Sequence, residues 1–100
     1  MYNALHPEEI IRIVCQTLEV PDITSPLRGI EFTYARFIAV RLLLKHTRLS
    51  YEEIGRFLDR DKTTIYWAEA RSKELVRNKD SYFISKWTWV NEKIDNYKPL

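Results

Sequence analysis

Residues 49–75 read LSYEEIGRFLDRDKTTIYWAEARSKEL, and this stretch decides the fold. It spells two helix starts. Ser50 is followed three residues later by Glu53, the reciprocal pair that satisfies orphan amides at a helix N-terminus. Asp61 offers a carboxylate to amides two or three residues on, at the positive end of the second helix dipole. Arg56 to Arg60 leave only two to four residues for the turn between them. Two short helices across so tight a turn, the second opening Lys62-Thr63-Thr64, form a helix-turn-helix. At about 100° per residue, Ile65, Ala68, Ser72, Leu75 and Val76 share one side of the second helix and can pack. Thr63, Tyr66, Trp67, Ala70 and Glu74 share the other. Two large aromatics exceed what a plain solvated face carries. They either pack against the C-terminal segment or meet a DNA or protein partner.

The chain on either side supplies a bundle for this unit. His6-Pro7-Glu8-Glu9 opens a first helix, with proline at the first helical position and early carboxylates suiting the dipole. Ile10, Val14, Thr17 and Leu18 mark its buried face, widened by Ile11 and Ile13, and Pro21 ends it. Residues 21–30, PDITSPLRGI, form a loop whose one basic, flexible spot is Arg28-Gly29. Thr33 to His46 form a helix apolar around most of its circumference, the hub of a small bundle. Its polar residues Arg36, Arg41 and Lys45 are expected to form a basic ridge suited to phosphates, though each would equally serve to solubilise a hub helix. Asn78 to Ser81 break the chain, and an aromatic-rich helix over about 81–94 closes the bundle, leaving Asn96 to Leu100 frayed. The fold class is therefore all-α: one domain over residues 1–100, about five helices, with the reading unit over about 50–77. Two glycines and four prolines leave little room for the turns of an all-β fold.

Composition narrows the function. Residues 1–27 carry a balance of −3, residues 28–79 hold twelve Lys/Arg against seven Asp/Glu, and residues 80–100 are neutral. The positive excess lies around the helix-turn-helix, where a phosphate-binding surface needs it. In that arrangement the second helix enters the DNA major groove with its first residues at the base edges. The single Cys15 sits in an apolar pattern and reads as a small buried hydrophobe, which suits a reducing compartment. No signal peptide or membrane-spanning run is legible, so the expected location is cytoplasmic, on the nucleoid. His6 and His46 stand at no metal-ligand spacing to Cys15, and two glycines build no phosphate loop. No catalytic residue, metal or cofactor is expected, and the chain does not read as an enzyme.

Arg60-Asp61-Lys62-Thr63-Thr64-Ile65 resembles the Arg-Asp-His-Thr-Thr-Val signature of the C-terminal DNA-binding domain of the bacterial replication initiator DnaA. Ser50 to Gly55 resemble that family's Ser-x-x-x-Ile-Gly opening, and Arg36 to Val40 resemble its hub helix. The likeness covers about residues 8–94 and implies a Trp-repressor-like bundle that binds double-stranded DNA. It implies base contacts in the major groove from Asp61, Lys62, Thr63 and Thr64, and a minor-groove arginine at Arg28. The chemistry agrees: Asp accepts from cytosine, Lys donates to guanine, a Thr methyl meets a thymine methyl, and arginine favours a narrow minor groove. Arg41, Lys45, Ser50, Tyr51, Arg60 and Trp67 complete the candidate DNA-binding set. Lys62 stands where the family has His, Asp59 replaces its two turn glycines, and Tyr51-Glu52 replace its frequent Leu-Pro. One hundred residues leave no room for an ATPase domain. The expectation is therefore a monomeric module in replication or transcription control, with replication or transcription proteins as further partners and no membrane. Two alternatives are a protein-interaction module built on the same fold and a regulator like region 4 of sigma factors.

Overall fold

The structure is a computed structural model and describes residues 5–26 and 28–97. Among the described residues five helices follow in order: α1 (Pro7–Leu18), α2 (Ile30–His46), α3 (Tyr51–Leu58), α4 (Lys62–Arg77) and α5 (Ser81–Asp95). No strand occurs among the described residues. α2 packs on each of the other four, as its nearly continuous apolar surface requires. Ala35, Ile38, Ala39, Val40, Leu42 and Leu43 are all buried along it. α1 adds Ile10 and Val14, α3 Ile54 and Leu58, α4 Ile65, and α5 Phe83, Val90 and Ile94. The Tyr34 ring meets Phe83 edge-on with centroids 5.2 Å apart, joining α2 to the start of α5.

The helix starts are written in side chains as the sequence reading expects. Ser50 accepts from the Glu53 amide at 3.1 Å, and Glu53 returns the bond to the Ser50 amide at 2.8 Å. Asp61 accepts from the Thr64 amide at 2.8 Å, and Asp80 from the Phe83 amide at 2.9 Å. Three of the ends share one device. Glu19, Asp59 and Lys79 are left-handed, with φ of 56°, 57° and 59°. The next amide after each reaches the carbonyl five residues back: Val20 to Cys15 at 3.0 Å, Arg60 to Gly55 at 2.8 Å and Asp80 to Leu75 at 2.9 Å. This closure satisfies carbonyls that the helix would leave orphaned.

Three expectations need correction. α2 starts at Ile30 rather than Thr33, because Gly29 in extended conformation serves as its N-cap. Val76 lies exposed at the end of the α4 stripe, which buries Ile65, Ala68 and Ser72. The C-terminal tail is anchored at Tyr97: its hydroxyl donates to Glu9 at 2.8 Å and accepts from Arg12 at 3.3 Å. Both partners lie more than eighty positions away in sequence, beyond the reach of a local pattern. The remainder of the expected frayed segment, residues 98–100, lies outside the described residues.

The tight turn makes Gly55 obligatory. A Cβ there would stand 2.3 Å from the Arg60 carbonyl oxygen, a backbone atom that cannot swing away. Gly55→Ala is expected to destabilise the domain by about 1–3 kcal/mol, the range for overpacking. Urea denaturation measures it, and parental stability would mean that the turn relaxes without cost.

Candidate nucleic-acid interface

The start of α4 is the most exposed stretch of the helix-turn-helix. Asp61, Lys62, Thr63 and Thr64 all face solvent, while Ile65 behind them is buried against the core. One turn on, Tyr66 is 51% and Trp67 59% exposed. Among the described residues, neither ring stacks on an aromatic side chain of α5. The Tyr66 ring instead stands edge-on to Tyr51 of α3 at 6.0 Å and to Trp67 at 5.5 Å. The Tyr51 hydroxyl donates to Glu69, which holds Tyr51 against the α4 flank. Ser50, Tyr51 and the first two turns of α4 thus share one region of the surface.

Arg60 sits in the turn and faces inward. Its guanidinium donates to the carbonyls of Leu58 and Asp59 in its own turn, and across to Thr24 at 3.2 Å and Ser25 at 2.8 Å in the α1–α2 loop. Arg36 of α2 grips the same loop, donating to Ile23 at 2.9 Å and to Ser25. The loop helps to shape itself: Asp22 accepts from the Thr24 amide at 2.9 Å and from its hydroxyl at 2.7 Å. Arg28 is exposed three residues beyond Ser25. Three residues span at most about 11 Å, so this clamp keeps Arg28 close to the turn that launches α4.

The expected basic ridge of the hub helix is split. Arg36 turns to the loop. Arg41 and Lys45 turn to the other side of α2: Arg41 donates to Ser72 at 3.2 Å and its guanidinium carbon lies 4.7 Å over the Trp87 ring. Lys45 reaches Asn91 at 3.1 Å. Burial pushes the Arg41 pKa down, opposed by Glu69. The aromatic ring and the carboxylate keep the cation tolerable in a half-buried place. Sequence periodicity assigns these residues to one helix but cannot say which neighbouring helix claims each of them.

The arginine-to-carbonyl bonds from the turn and α2 to Ile23, Thr24 and Ser25 have no sequence signature, because backbone acceptors carry no side-chain code. Cys15 is half-buried rather than fully enclosed, and burial raises its thiol pKa. Among the described residues no cluster of His, Cys, Asp or Glu could hold a metal ion, and no helix is long and apolar enough to cross a membrane.

The capping carboxylates link the fold to pH. Hydrogen bonds from the Thr64 amide, chiefly, lower the Asp61 pKa from 3.8, and those from Ser50 lower that of Glu53 from 4.5. A depressed folded pKa contributes stability that is present above the unfolded value and lost as pH falls through the folded one. Stability is therefore expected to decline from just above pH 4.5 downward. Asp61→Asn, which keeps a capping oxygen without the charge, should flatten the acid limb of that curve. Thermal melts of both proteins from pH 6 to about 2 check this; an identical acid limb would assign the loss to other groups.

The family described as the bacterial dnaA protein helix-turn-helix matches residues 7–76, spanning α1 to almost the end of α4. The chromosomal replication initiator protein DnaA of Trichormus variabilis is 32% identical over 78 residues. The alignment covers 75% of this chain and 17% of that protein, so the chain corresponds to a small part of the relative.

Proposed function

The chain belongs to the bacterial DnaA helix-turn-helix family, and we propose that it binds double-stranded DNA with sequence preference, in the control of replication or transcription. One observation carries the reading: Arg60 and Arg36 hold the loop that bears Arg28 against the turn from which the exposed Lys62, Thr63 and Thr64 emerge. A duplex offers a major groove and, beside it, a minor groove. A helix start and a nearby arginine loop, mutually fixed, suit that pair. Lys62 and Thr63 read base edges in the major groove, Thr64 meets the backbone or a thymine methyl, and Arg28 enters the minor groove. Tyr51 and Trp67 extend the contact surface on either side. Ser50, Asp61 and Arg60 position these groups through the caps and the loop clamp. Arg41 and Lys45 contribute charge from the far side of α2. The module works as a monomer at the nucleoid.

Selection of bound sequences from a random duplex pool is the direct test, since enrichment of a motif supports sequence preference and a flat outcome removes it. Thr63→Ala is then expected to relax preference at one base position, at a cost of about 1–3 kcal/mol there. Lys62→His, restoring the residue usual in the family, should shift the preferred site. Parental binding by both variants at every position would mean that α4 does not read DNA.

Affinity should also be salt-sensitive. About four to six phosphate contacts give a log–log slope of roughly −4 to −5 against salt concentration. Arg28→Ala should weaken binding and leave the melting temperature in place. Affinity indifferent to salt would favour a protein-interaction module on the same fold.

A further inference from the structure

A hollow of about 390 Å³ lies between α1 and α5. Trp89 and Lys93 of α5 line it, and Arg12, Gln16 and Glu19 line it from the α1 side. No residue of the candidate DNA-binding set borders it. Gln16, Glu19, Trp89 and Lys93 are all exposed. Among the described residues none of these four side chains has a hydrogen bond, an ion pair or a ring contact. The frame around them is held. Tyr97, also in the lining, donates to Glu9 and accepts from Arg12. Glu19 is left-handed, and the Val20 amide closes on Cys15 beside it. Lys86 and Lys93 stand three residues before and four after Trp89, so both share its face of α5. Lys86 lies 4.6 Å over the Tyr82 ring, which is itself exposed.

These groups make three demands on an occupant. The indole of Trp89 calls for a planar ring to stack on it. Glu19 calls for an N–H donor on that ring, and Gln16 for a donor or acceptor beside it. The two lysines call for negative charge on either side of the ring. We infer that the hollow binds single-stranded nucleic acid, through an unpaired cytosine stacked on Trp89. Its exocyclic amino group donates to Glu19, as a carboxylate reads cytosine, and its flanking phosphates meet Lys86 and Lys93. A duplex does not fit, because its ring faces are covered by neighbouring base pairs. An acidic peptide would satisfy the lysines but set its carboxylates against Glu19. The site lies outside the duplex-reading surface and does not rest on duplex binding.

Titration of the isotopically labelled protein tests the site by backbone and indole N–H chemical shifts. The probes are an oligodeoxycytidine of about twelve nucleotides, an oligothymidine of the same length, and poly-glutamate. Oligodeoxycytidine is expected to give saturable shifts centred on Gln16, Glu19, Lys93 and the Trp89 indole. Oligothymidine, with a carbonyl where cytosine has its amino group, should bind roughly fivefold more weakly, the effect of one hydrogen bond. Glu19→Gln, whose amide can pair with either base, should erase that difference. Trp89→Ala should weaken oligodeoxycytidine binding about tenfold through lost stacking. The Trp89 side chain is half exposed, so the melting temperature should hold. Poly-glutamate should not saturate. Shifts confined to Lys62, Thr63 and Thr64 would place the strand on α4 and overturn the proposal. Equal affinity of the parent for both oligomers, parental affinity in Trp89→Ala, or saturation by poly-glutamate at the same residues would overturn it as well.

Discussion

The arrangement of the candidate interface depends on two guanidinium groups donating to backbone carbonyls. The α1–α2 loop contains two prolines and a glycine, and it has no helical or strand ladder to hold it. Arg60 and Arg36 supply the missing structure by binding Ile23, Thr24 and Ser25 from two directions. A charged donor on a carbonyl contributes more than a neutral one, about 1.5–3 kcal/mol against about 1. Removing either arginine takes donors from carbonyls in a part-buried place, although the Ser25 carbonyl would keep the other arginine. The turn and the loop are thus one unit, although thirty-five residues separate Ser25 from Arg60.

That distance explains what could be read from sequence and what could not. Three helix starts were legible because their causes are local: Ser50 with Glu53, Asp61 with Thr64, Pro7 behind His6; the α2 start, capped by Gly29 without a side chain, was not. The hub was legible because α2 is apolar on almost every side, which only a central helix tolerates. The split of Arg36 from Arg41 and Lys45 was not, since it depends on which helix arrives at each flank. Nor was the anchoring of Tyr97, where a terminal residue that looked frayed finds Glu9 and Arg12 at the other end of the chain. Of the candidate site residues, the sequence could mark which are polar and early in α4. It could not show that Arg60 turns away from them.

The departures from the family pattern are absorbed locally. Asp59 occupies a left-handed position that glycine usually fills, and aspartate is among the residues that accept this conformation most readily. The amide after it still reaches the Gly55 carbonyl at 2.8 Å, so the helix end closes without glycine. Tyr51 takes the place of a smaller apolar residue, and its hydroxyl would be costly against apolar surface without a partner. Glu69 supplies that partner from the next helix, and the ring then supports Tyr66. Tyr51 and Tyr66 thereby brace each other across the helix-turn-helix.

The same geometry revises what net charge means for this domain. The twelve cations of residues 28–79 count equally in a sequence, but they do not act equally. Arg60 and Arg36 direct donors at loop carbonyls, and Arg41 directs its own at Ser72 while lying over Trp87. These three still add to the positive field that draws a polyanion in, since a guanidinium stays protonated when hydrogen-bonded. They contribute less to direct phosphate contact, which needs donors aimed outward. Field and contact separate in measurement: the first acts on association rate, the second on the lifetime of the complex. Lys62 and Arg28 are exposed, with side chains available for contact, whereas Arg36, Arg41 and Arg60 are part-buried. Net charge alone therefore understates how differently the cations are placed: the part-buried ones fix the loop and the α2–α4 contact, and the exposed ones stay free of those tasks.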